Sequence, residues 1–313
     1  MSKFKLNVSE VTKDAENYDV YAIISLLSAI VLGISSPVAV AGNSLVLAAI
    51  WRNPSLRTPS YILLAGLAFT DLCAGLVSVP SYILNLYLTP SFIGTDINLV
   101  FDMGSWPSIY FATRIVSDGC GNYFFVLTAL IITLMSIERW LHMSYRSLVT
   151  VRRACVALAV LLPLPIPLVV YRVLDMYDFQ VGVVSVCFVV FCLAITSVAY
   201  FKVFQIIRHH QQQVHVCQFS QNNGQPAINF AKCRKSVFTI LYILAVFYTG
   251  YLPVAISMAL ILALGHWAML SFSVSVVFAF LSSSLNPILY LWRMKDIRNE
   301  VKEIVKRIFC KKN

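Results

Sequence analysis

The chain has 313 residues, of which 59% are hydrophobic and only 12% are charged. Soluble globular proteins carry about 45–50% apolar and about 25% charged residues, so this chain has too little polar surface for a water-soluble particle of its size. The composition argues against a soluble enzyme or a disordered protein and favours a membrane protein. The net charge of +10 suggests nucleic-acid binding, a hypothesis that the positions of the charges test.

Long stretches almost free of charge predict seven membrane-crossing helices, since a helix needs about 20 mostly apolar residues to cross a bilayer. In chain order the stretches are 20–51, 58–95 (with Asp71 as its one charge), 119–137, 154–171, 179–201 and 236–292. The last is too long for one crossing and breaks at Leu264–Trp267, which gives spans six and seven. Continuous apolar runs argue against barrel strands, which alternate. The expected fold is an all-α seven-transmembrane helix bundle.

Most of the 24 Lys and Arg residues fall in the connections after spans one, three, five and seven. Because cytoplasmic loops carry an excess of Lys and Arg, this side is predicted to be cytoplasmic and the N-terminus extracellular. The basic balance is thus an orientation signal, and we expect no nucleic-acid partner. The expected location is the plasma membrane.

Three regions follow from this pattern: an extracellular tail (1–19), the seven-helix bundle (20–292), and a cytoplasmic helix and tail (293–313). Apolar residues recur at helical spacing from Ile297 to Phe309 among basic residues, which predicts an amphipathic helix on the inner leaflet. Docking of this helix on the bundle is the alternative. Asn7 begins a glycosylation sequon, and Cys310 is a candidate for palmitoylation.

Asp71 lies in the middle of predicted span two. A charged residue at the bilayer centre costs about 2.5–3.5 kcal/mol on insertion scales, so this carboxyl group needs polar partners. The candidates on neighbouring spans are Asn43, Thr128, Ser282, Ser283 and Asn286. Two interpretations stay open: a polar cage that holds a small cation such as sodium, and a protonated carboxyl group satisfied by hydrogen bonds.

Prolines interrupt several spans, and each leaves a backbone carbonyl without its usual donor. Pro287 lies in the string Asn286-Pro287-Ile288-Leu289-Tyr290, and we expect the Asn286 side chain to help satisfy the freed carbonyl. Pro80 and Pro253 are expected to kink spans two and six.

Seven spans carrying these motifs in this order resemble the rhodopsin-like G-protein-coupled receptors over nearly the whole chain. Gly42-Asn43 resembles the GN signature of that family, and Leu67-Ala68-Phe69-Thr70-Asp71 resembles its LAxxD motif. Glu138-Arg139-Trp140 resembles the DRY triplet, and Asn286–Tyr290 resembles NPxxY. Pro253 and Phe247 match the proline and the aromatic residue of span six, and Tyr200 matches a tyrosine late in span five.

The resemblance implies a receptor for an extracellular ligand that signals to heterotrimeric G proteins when span six moves outward about Pro253. Arg139 would pair with Glu138 at rest and turn toward the G protein on activation, while Tyr200 and Tyr290 swing inward. The implied activation switch comprises Glu138, Arg139, Tyr200, Phe247, Tyr251, Pro253, Asn286, Pro287 and Tyr290. Asp71, Asn43, Thr128, Ser283 and Asn286 would bind sodium, which favours the resting state; no other cofactor or metal is expected.

The chain departs from the family at several positions. Arg114 stands where most relatives have a disulfide-forming cysteine, Tyr251 replaces a tryptophan, and Cys233 replaces the acidic residue that often locks Arg139. Weakened resting contacts lead to the hypothesis of raised basal activity. The missing disulfide and the short loop 172–180 resemble the melanocortin and lysophospholipid receptor branch.

The implied ligand pocket is mostly apolar, which suits a lipid or a small apolar ligand, although its residues also have the composition of simple core packing. Its members are Asp118, Asn122, Phe125, Val254, Met258, Val276 and Phe280. A peptide receptor of the same fold is the alternative; of the three acids that melanocortin receptors use, this chain keeps Asp118 alone.

Two other classes compete less well. A transporter would carry more charges along its path than Asp71. An intramembrane enzyme needs a nucleophile–base pair or metal ligands within the spans, whereas the five histidines lie at edges or in loops, so we expect no enzyme activity.

Overall fold

A computed structural model describes residues 8–88, 106–144, 150–174, 179–220, 227–264 and 269–310. Every regular element within these ranges is helical, as expected. Seven of the helices are long and apolar enough to cross a membrane, at Val20–Arg52, Pro59–Leu88, Ala112–Ser144, Val151–Tyr171, Gly182–His209, Leu244–Leu264 and Leu270–Arg293. They are called spans one to seven.

Some helices are longer than the apolar stretches that predict them. The helix of span one runs over Val8–Arg52, that of span three over Trp106–Ser144, that of span five over Phe179–Ser220 and that of span six over Ala227–Leu264. Span seven forms the helix Met269–Arg293, so spans six and seven end on either side of the predicted break. A short 3-10 helix at Pro54–Leu56 joins spans one and two.

Span two contains a π-turn rather than a simple kink. It consists of an α-helix at Pro59–Cys73, a π-helical turn at Ala74–Ser78 and an α-helix at Val79–Leu88. In the turn, the N–H of Val79 donates to the carbonyl of Ala74, five residues back. The next donor in that register would be Pro80, which has no N–H, so the carbonyl of Gly75 is free. The Ser36 hydroxyl of span one donates to this carbonyl at 2.8 Å.

Span four is broken, although its sequence is one uncharged stretch. It forms helices at Val151–Leu161 and Ile166–Leu174, with a turn between them. Pro163, Pro165 and Pro167 remove three N–H donors around this turn. The Tyr123 hydroxyl of span three donates to the carbonyl of Leu162 at 2.9 Å, which satisfies the broken backbone from outside.

The bundle buries one large core and leaves large apolar side chains on its outside. Val46, Leu67, Ile131, Phe247 and Tyr290 share the main cluster. By contrast, Ile34 is 69% exposed and Phe191 is 62% exposed. An apolar exterior is unfavourable in water and suits surrounding lipid.

The terminal helix, Lys295–Cys310, docks partly on the bundle. Ile297 and Val301 are buried in the main core, whereas Ile308 is 62% exposed. The Nδ2 of Asn53 donates to Glu300 Oε1 at 2.7 Å, and the Tyr61 hydroxyl donates to Asp296 Oδ2 at 3.1 Å. These contacts support the alternative of docking on the bundle for Ile297 and Val301, and the position of the helix on the inner leaflet stays a prediction.

Candidate functional site: a polar cage and an inner-face switch

Three of the residues predicted to surround Asp71 converge with it in the centre of the bundle. Asp71 and Asn43 are 0% exposed, and Ser283 and Asn286 are buried as well. The Nδ2 of Asn286 donates to Asp71 Oδ2 at 2.7 Å, and Ser283 also hydrogen-bonds to this carboxyl group. The structure thus joins spans one, two and seven at residues that are far apart in the chain.

The carbonyl that Pro287 frees is satisfied by a different residue from the one expected. Pro287 cannot donate to the carbonyl of Ser283, one helical turn earlier. The Nδ2 of Asn43 donates to that carbonyl at 3.1 Å, whereas Asn286 is turned to Asp71. Our assignment of this role to Asn286 is therefore wrong, because span one, which lies against the proline, supplies the donor.

Gly42 makes this contact of spans one and seven close. A Cβ atom at position 42 would lie 2.7 Å from Cβ and Cγ of Pro287, a distance that real Cβ atoms essentially never show. The glycine of the Gly42-Asn43 pair therefore makes room for the proline ring, and the asparagine satisfies the carbonyl that the proline leaves.

The cage contains oxygen atoms suited to a hard cation. Asp71 Oδ1 and Asn43 Oδ1 are buried and have no hydrogen-bond partner among the residues that the structure describes. Sodium-sized hard cations take carboxylate, hydroxyl and amide oxygens as ligands. The residues present therefore fit such an ion. Thr128, the fifth predicted ligand, contacts Thr70 at 3.4 Å and hydrogen-bonds to Tyr251 instead of joining Asp71.

Tyr251 lies between this cage and the predicted ligand pocket. It is buried, and its ring stacks on Phe125 with centroids 4.6 Å apart. Its other neighbour is Phe247, one turn away on span six, at 4.7 Å. Pro253, two residues later, accepts a hydrogen bond at its carbonyl from the Ser275 hydroxyl of span seven at 3.1 Å.

The inner end of span three carries a charged pair. Glu138 is 5% exposed, and its Oε1 accepts a hydrogen bond from the Ser60 hydroxyl at 2.8 Å. Arg139 Nε lies 3.9 Å from Glu138 Oε2, and the arginine side chain is 38% exposed. Tyr200 is buried nearby in a cluster with Val203 and Ile207, and it hydrogen-bonds to Ser136. The guanidinium group is thus partly exposed and makes a long contact of 3.9 Å with the buried carboxylate.

The predicted pocket residues separate into two groups. Phe125, Val254 and Met258 pack together with Val186 of span five and Phe272 of span seven. Phe280 packs instead beside Tyr82 of span two, with ring centroids 5.5 Å apart. Asn122 and Val276 are half-buried and belong to neither cluster.

Asp118 lies at the outer part of span three and is paired within its own helix. Arg114 Nε is 3.6 Å from Asp118 Oδ2, and both side chains are about one third exposed, at 30% and 34%. Arg114 and Asp118 are one helical turn apart, so the pair forms within span three.

Sequence reasoning missed Ser185 of span five, which directly precedes Val186 of the apolar pocket cluster. It is 2% exposed, and its hydroxyl has no hydrogen-bond partner within the described part of the chain. No sequence signal distinguishes it from the many serines that bond to their own helix. The glycosylation candidate Asn7 lies outside the described residues, and Cys310 ends the terminal helix without a described side chain.

Comparisons with known proteins agree on one family. Residues 42–174 match the model of the family described as 7 transmembrane receptor (rhodopsin family). The chain is 27% identical over 296 residues to human G-protein coupled receptor 3, which covers 86% of this chain and 79% of that protein. It is 23% identical over 280 residues to human G-protein coupled receptor 12, an alignment that covers 86% of this chain and 78% of that protein. It is also 23% identical over 277 residues to mouse Melanocortin receptor 3, with 84% and 80% covered.

Proposed function

Because the chain is a rhodopsin-like G-protein-coupled receptor and a multi-pass membrane protein, we propose that it transmits an extracellular signal at the plasma membrane by outward movement of span six about Pro253. Its N-terminus is extracellular and its C-terminus is cytoplasmic in this proposal, as the distribution of Lys and Arg favours. Its intracellular partner is a heterotrimeric G protein, and it performs no enzymatic reaction.

The observation that carries the proposal is the pair of Arg139 with Glu138 at the inner end of span three. The buried Glu138 is fixed by Ser60, and it holds the more exposed arginine by one contact of 3.9 Å. A contact of this length is too long for a hydrogen bond between the guanidinium group and the carboxylate, so it restrains the arginine only weakly. Arg139 is then free to contact a G protein.

Ligand binding reaches this switch through packed aromatic residues. Phe125 at the base of the pocket stacks on Tyr251, and Tyr251 contacts Phe247 further down span six. A ligand that packs better against one arrangement of these rings shifts the equilibrium between resting and active states. The apolar cluster of Phe125, Val254 and Met258 favours a lipid or small apolar ligand, and a peptide is the alternative.

The polar cage around Asp71 provides a second site at which a bound species can change the balance between resting and active states. We propose that sodium binds at Asp71, with Asn43, Ser283 and Asn286 around it, and stabilises the resting state. The two unpaired buried oxygens of Asp71 and Asn43 support this proposal. The alternative is a protonated Asp71 that Asn286 and Ser283 satisfy without an ion.

The test is nucleotide exchange on a panel of purified G proteins, with membranes that carry the wild-type chain, Arg139→Ala or Arg307→Ala and no added ligand. Arg307→Ala is the matched control because it removes an exposed arginine from the terminal helix, away from the switch. We expect basal exchange above that of empty membranes in the wild type and in Arg307→Ala, and a loss to background in Arg139→Ala.

Surface expression of each variant is measured in parallel by labelling intact cells. Equal exchange in the wild type and Arg139→Ala would contradict the role of Arg139. If correctly expressed receptor gives no exchange with any G protein, raised basal activity is wrong, and a lipid and peptide screen then decides whether coupling requires a ligand.

A further inference from the structure

An aromatic and cationic cluster joins spans six and seven near their inner ends. The rings of Tyr242 on span six and Trp292 on span seven meet edge to face, with centroids 5.1 Å apart and planes at 69°. The guanidinium carbon of Arg293 lies 5.5 Å from the Tyr242 centroid and 5.4 Å from the Trp292 centroid. Distances below about 6 Å allow a cation–π interaction with each ring.

Tyr242 faces away from the contacts that hold the inside of span six. Leu244, two residues further on, packs against the cluster of Tyr200 from span five and Trp140 from span three. Two residues correspond to about 200° around a helix, so Tyr242 lies on nearly the opposite face. Tyr242 is 39% exposed and Trp292 is 55% exposed. The cluster therefore bridges the outer surface between spans six and seven.

The cluster lies far enough from Pro253 along span six that the proposed movement of this span would separate its residues. At 1.5 Å per residue, Tyr242 lies about 16 Å from Pro253 toward the inner end. A rotation about Pro253 displaces Tyr242 by several ångströms, and an edge-to-face contact does not survive such a separation. Trp292 also lies only two residues after Tyr290, so an inward swing of Tyr290 displaces the other side of the same contact.

We propose that Tyr242, Trp292 and Arg293 form a clasp that holds the inner half of span six against span seven in the resting receptor. This inference rests on the proposed movement of span six. The sequence has Cys233 where related receptors often carry an acidic residue that locks the arginine of span three. The clasp supplies a restraint on span six that does not use Arg139.

A simpler interpretation is that the three residues anchor the protein at the membrane boundary, where Trp, Tyr and Arg are common. Trp51 at the inner end of span one provides the comparison. It is 82% exposed, and its ring makes no aromatic contact in the part of the chain that the structure describes. Trp51→Leu removes an anchor alone, whereas Trp292→Leu removes an anchor and the contact with span six.

The experiment measures the distance between the inner end of span six and the connection of spans one and two, in the full-length receptor in lipid nanodiscs. Spin labels are attached through ketone-bearing unnatural residues at positions 57 and 235, so the native cysteines stay in place. Pulsed electron paramagnetic resonance gives the populations of short and long distances. The variants are Tyr242→Leu, Trp292→Leu, the double variant, Arg293→Gln and Trp51→Leu.

We expect Tyr242→Leu and Trp292→Leu each to raise the ratio of long to short distances about two- to tenfold, the range that aromatic and cation–π contacts provide. The double variant is expected to match Tyr242→Leu, because Tyr242→Leu alone removes both contacts between the spans, whereas Trp292→Leu leaves Arg293 on the Tyr242 ring. Arg293→Gln is expected to act in the same direction by a smaller factor, and Trp51→Leu to leave the ratio unchanged.

An unchanged ratio in Trp292→Leu and Tyr242→Leu, at wild-type expression and melting temperature, would overturn the clasp. An equal effect of Trp51→Leu would also overturn it in favour of membrane anchoring. If a variant fails to fold, Tyr242→Phe, which keeps the ring, serves as the second test and must keep the wild-type ratio. The distance measurement needs no G protein. The absence of nucleotide exchange would therefore contradict the proposed function, while the distance populations would still test the clasp independently.

Discussion

At the residue scale, the contact of spans one and seven depends on three side chains with complementary properties. Pro287 removes a donor, Asn43 replaces it at 3.1 Å, and Gly42 leaves room for the proline ring. Each property follows from the residue type: no N–H, an amide donor, and no Cβ. A substitution at any one of these three positions therefore changes the contacts that the other two residues make.

Gly42→Ala is expected to destabilise the receptor by about 1–3 kcal/mol, because the new methyl group overlaps the Pro287 ring. Gly33→Ala is the control on the same helix, since a Cβ there meets nothing within 4 Å. The measurement is the apparent melting temperature in detergent at one scan rate, followed by tryptophan fluorescence. Equal melting temperatures for both variants would contradict the close packing at Gly42.

Sodium is expected to lower basal nucleotide exchange of the wild type relative to potassium at equal ionic strength, because the ion neutralises Asp71 and stabilises the resting cage. Asp71→Asn is expected to abolish this difference, since it removes the charge and keeps the shape. Ser282→Ala is the control: its hydroxyl donates to its own helix at Ala279, at 2.6 Å. A sodium effect that persists in Asp71→Asn would show that sodium acts at another site, and a wild type without any sodium effect would favour the protonated carboxyl group without an ion.

At the element scale, two spans deviate from regular α-helix, and in both a neighbouring span satisfies the exposed backbone. Span two forms a π-turn whose free Gly75 carbonyl accepts from Ser36. Span four breaks after Leu161, and the carbonyl of Leu162 accepts from Tyr123. Lipid offers no hydrogen bonds, so irregular backbone in a membrane is stable where another helix supplies a donor.

Ser36→Ala is expected to lower stability by about 0.6 kcal/mol, the mean for hydrogen bonds between membrane helices, and by no more than about 1.7 kcal/mol, because the Gly75 carbonyl loses its donor. Ser35→Ala is the adjacent control, since the Ser35 hydroxyl donates within its own helix to Leu32 at 3.2 Å. Melting temperatures of both variants are compared with the wild type. A larger loss in Ser35→Ala would show that the bond to Gly75 does not support the π-turn.

At the scale of the whole molecule, charge and hydropathy divide the chain into parts with different surroundings. The apolar exterior of the spans suits lipid, and the basic connections favour the cytoplasmic side. The terminal helix lies at this boundary, with Ile297 and Val301 buried in the bundle and Ile308 exposed.

Epitope tags at the two ends test the expected orientation. Because Lys and Arg are retained in the cytoplasm during insertion, we expect an N-terminal tag to be labelled on intact cells and a C-terminal tag only after permeabilisation. A tag on a cytosolic marker protein reports whether the cells are intact. Labelling of the C-terminal tag on intact cells would contradict the orientation.

The sequence by itself determined the number of spans, and its motifs resemble those of rhodopsin-like receptors. These features depend on local composition and on short motifs, such as the uncharged stretches and Asn286–Tyr290, that need no knowledge of neighbouring helices. It also singled out Asp71 and most of its partners, because an acidic residue within an apolar stretch requires polar neighbours.

Tertiary structure alone decided which partner each group has. The sequence did not distinguish Asn43 from Asn286 as donor to the Ser283 carbonyl, nor indicate that Thr128 contacts Tyr251 rather than Asp71. It did not predict the break in span four, nor the contact of Tyr242 with Trp292. All of these depend on how helices distant in the chain rotate and approach one another, and that is set by packing of side chains across the bundle rather than by the order of residues along one span.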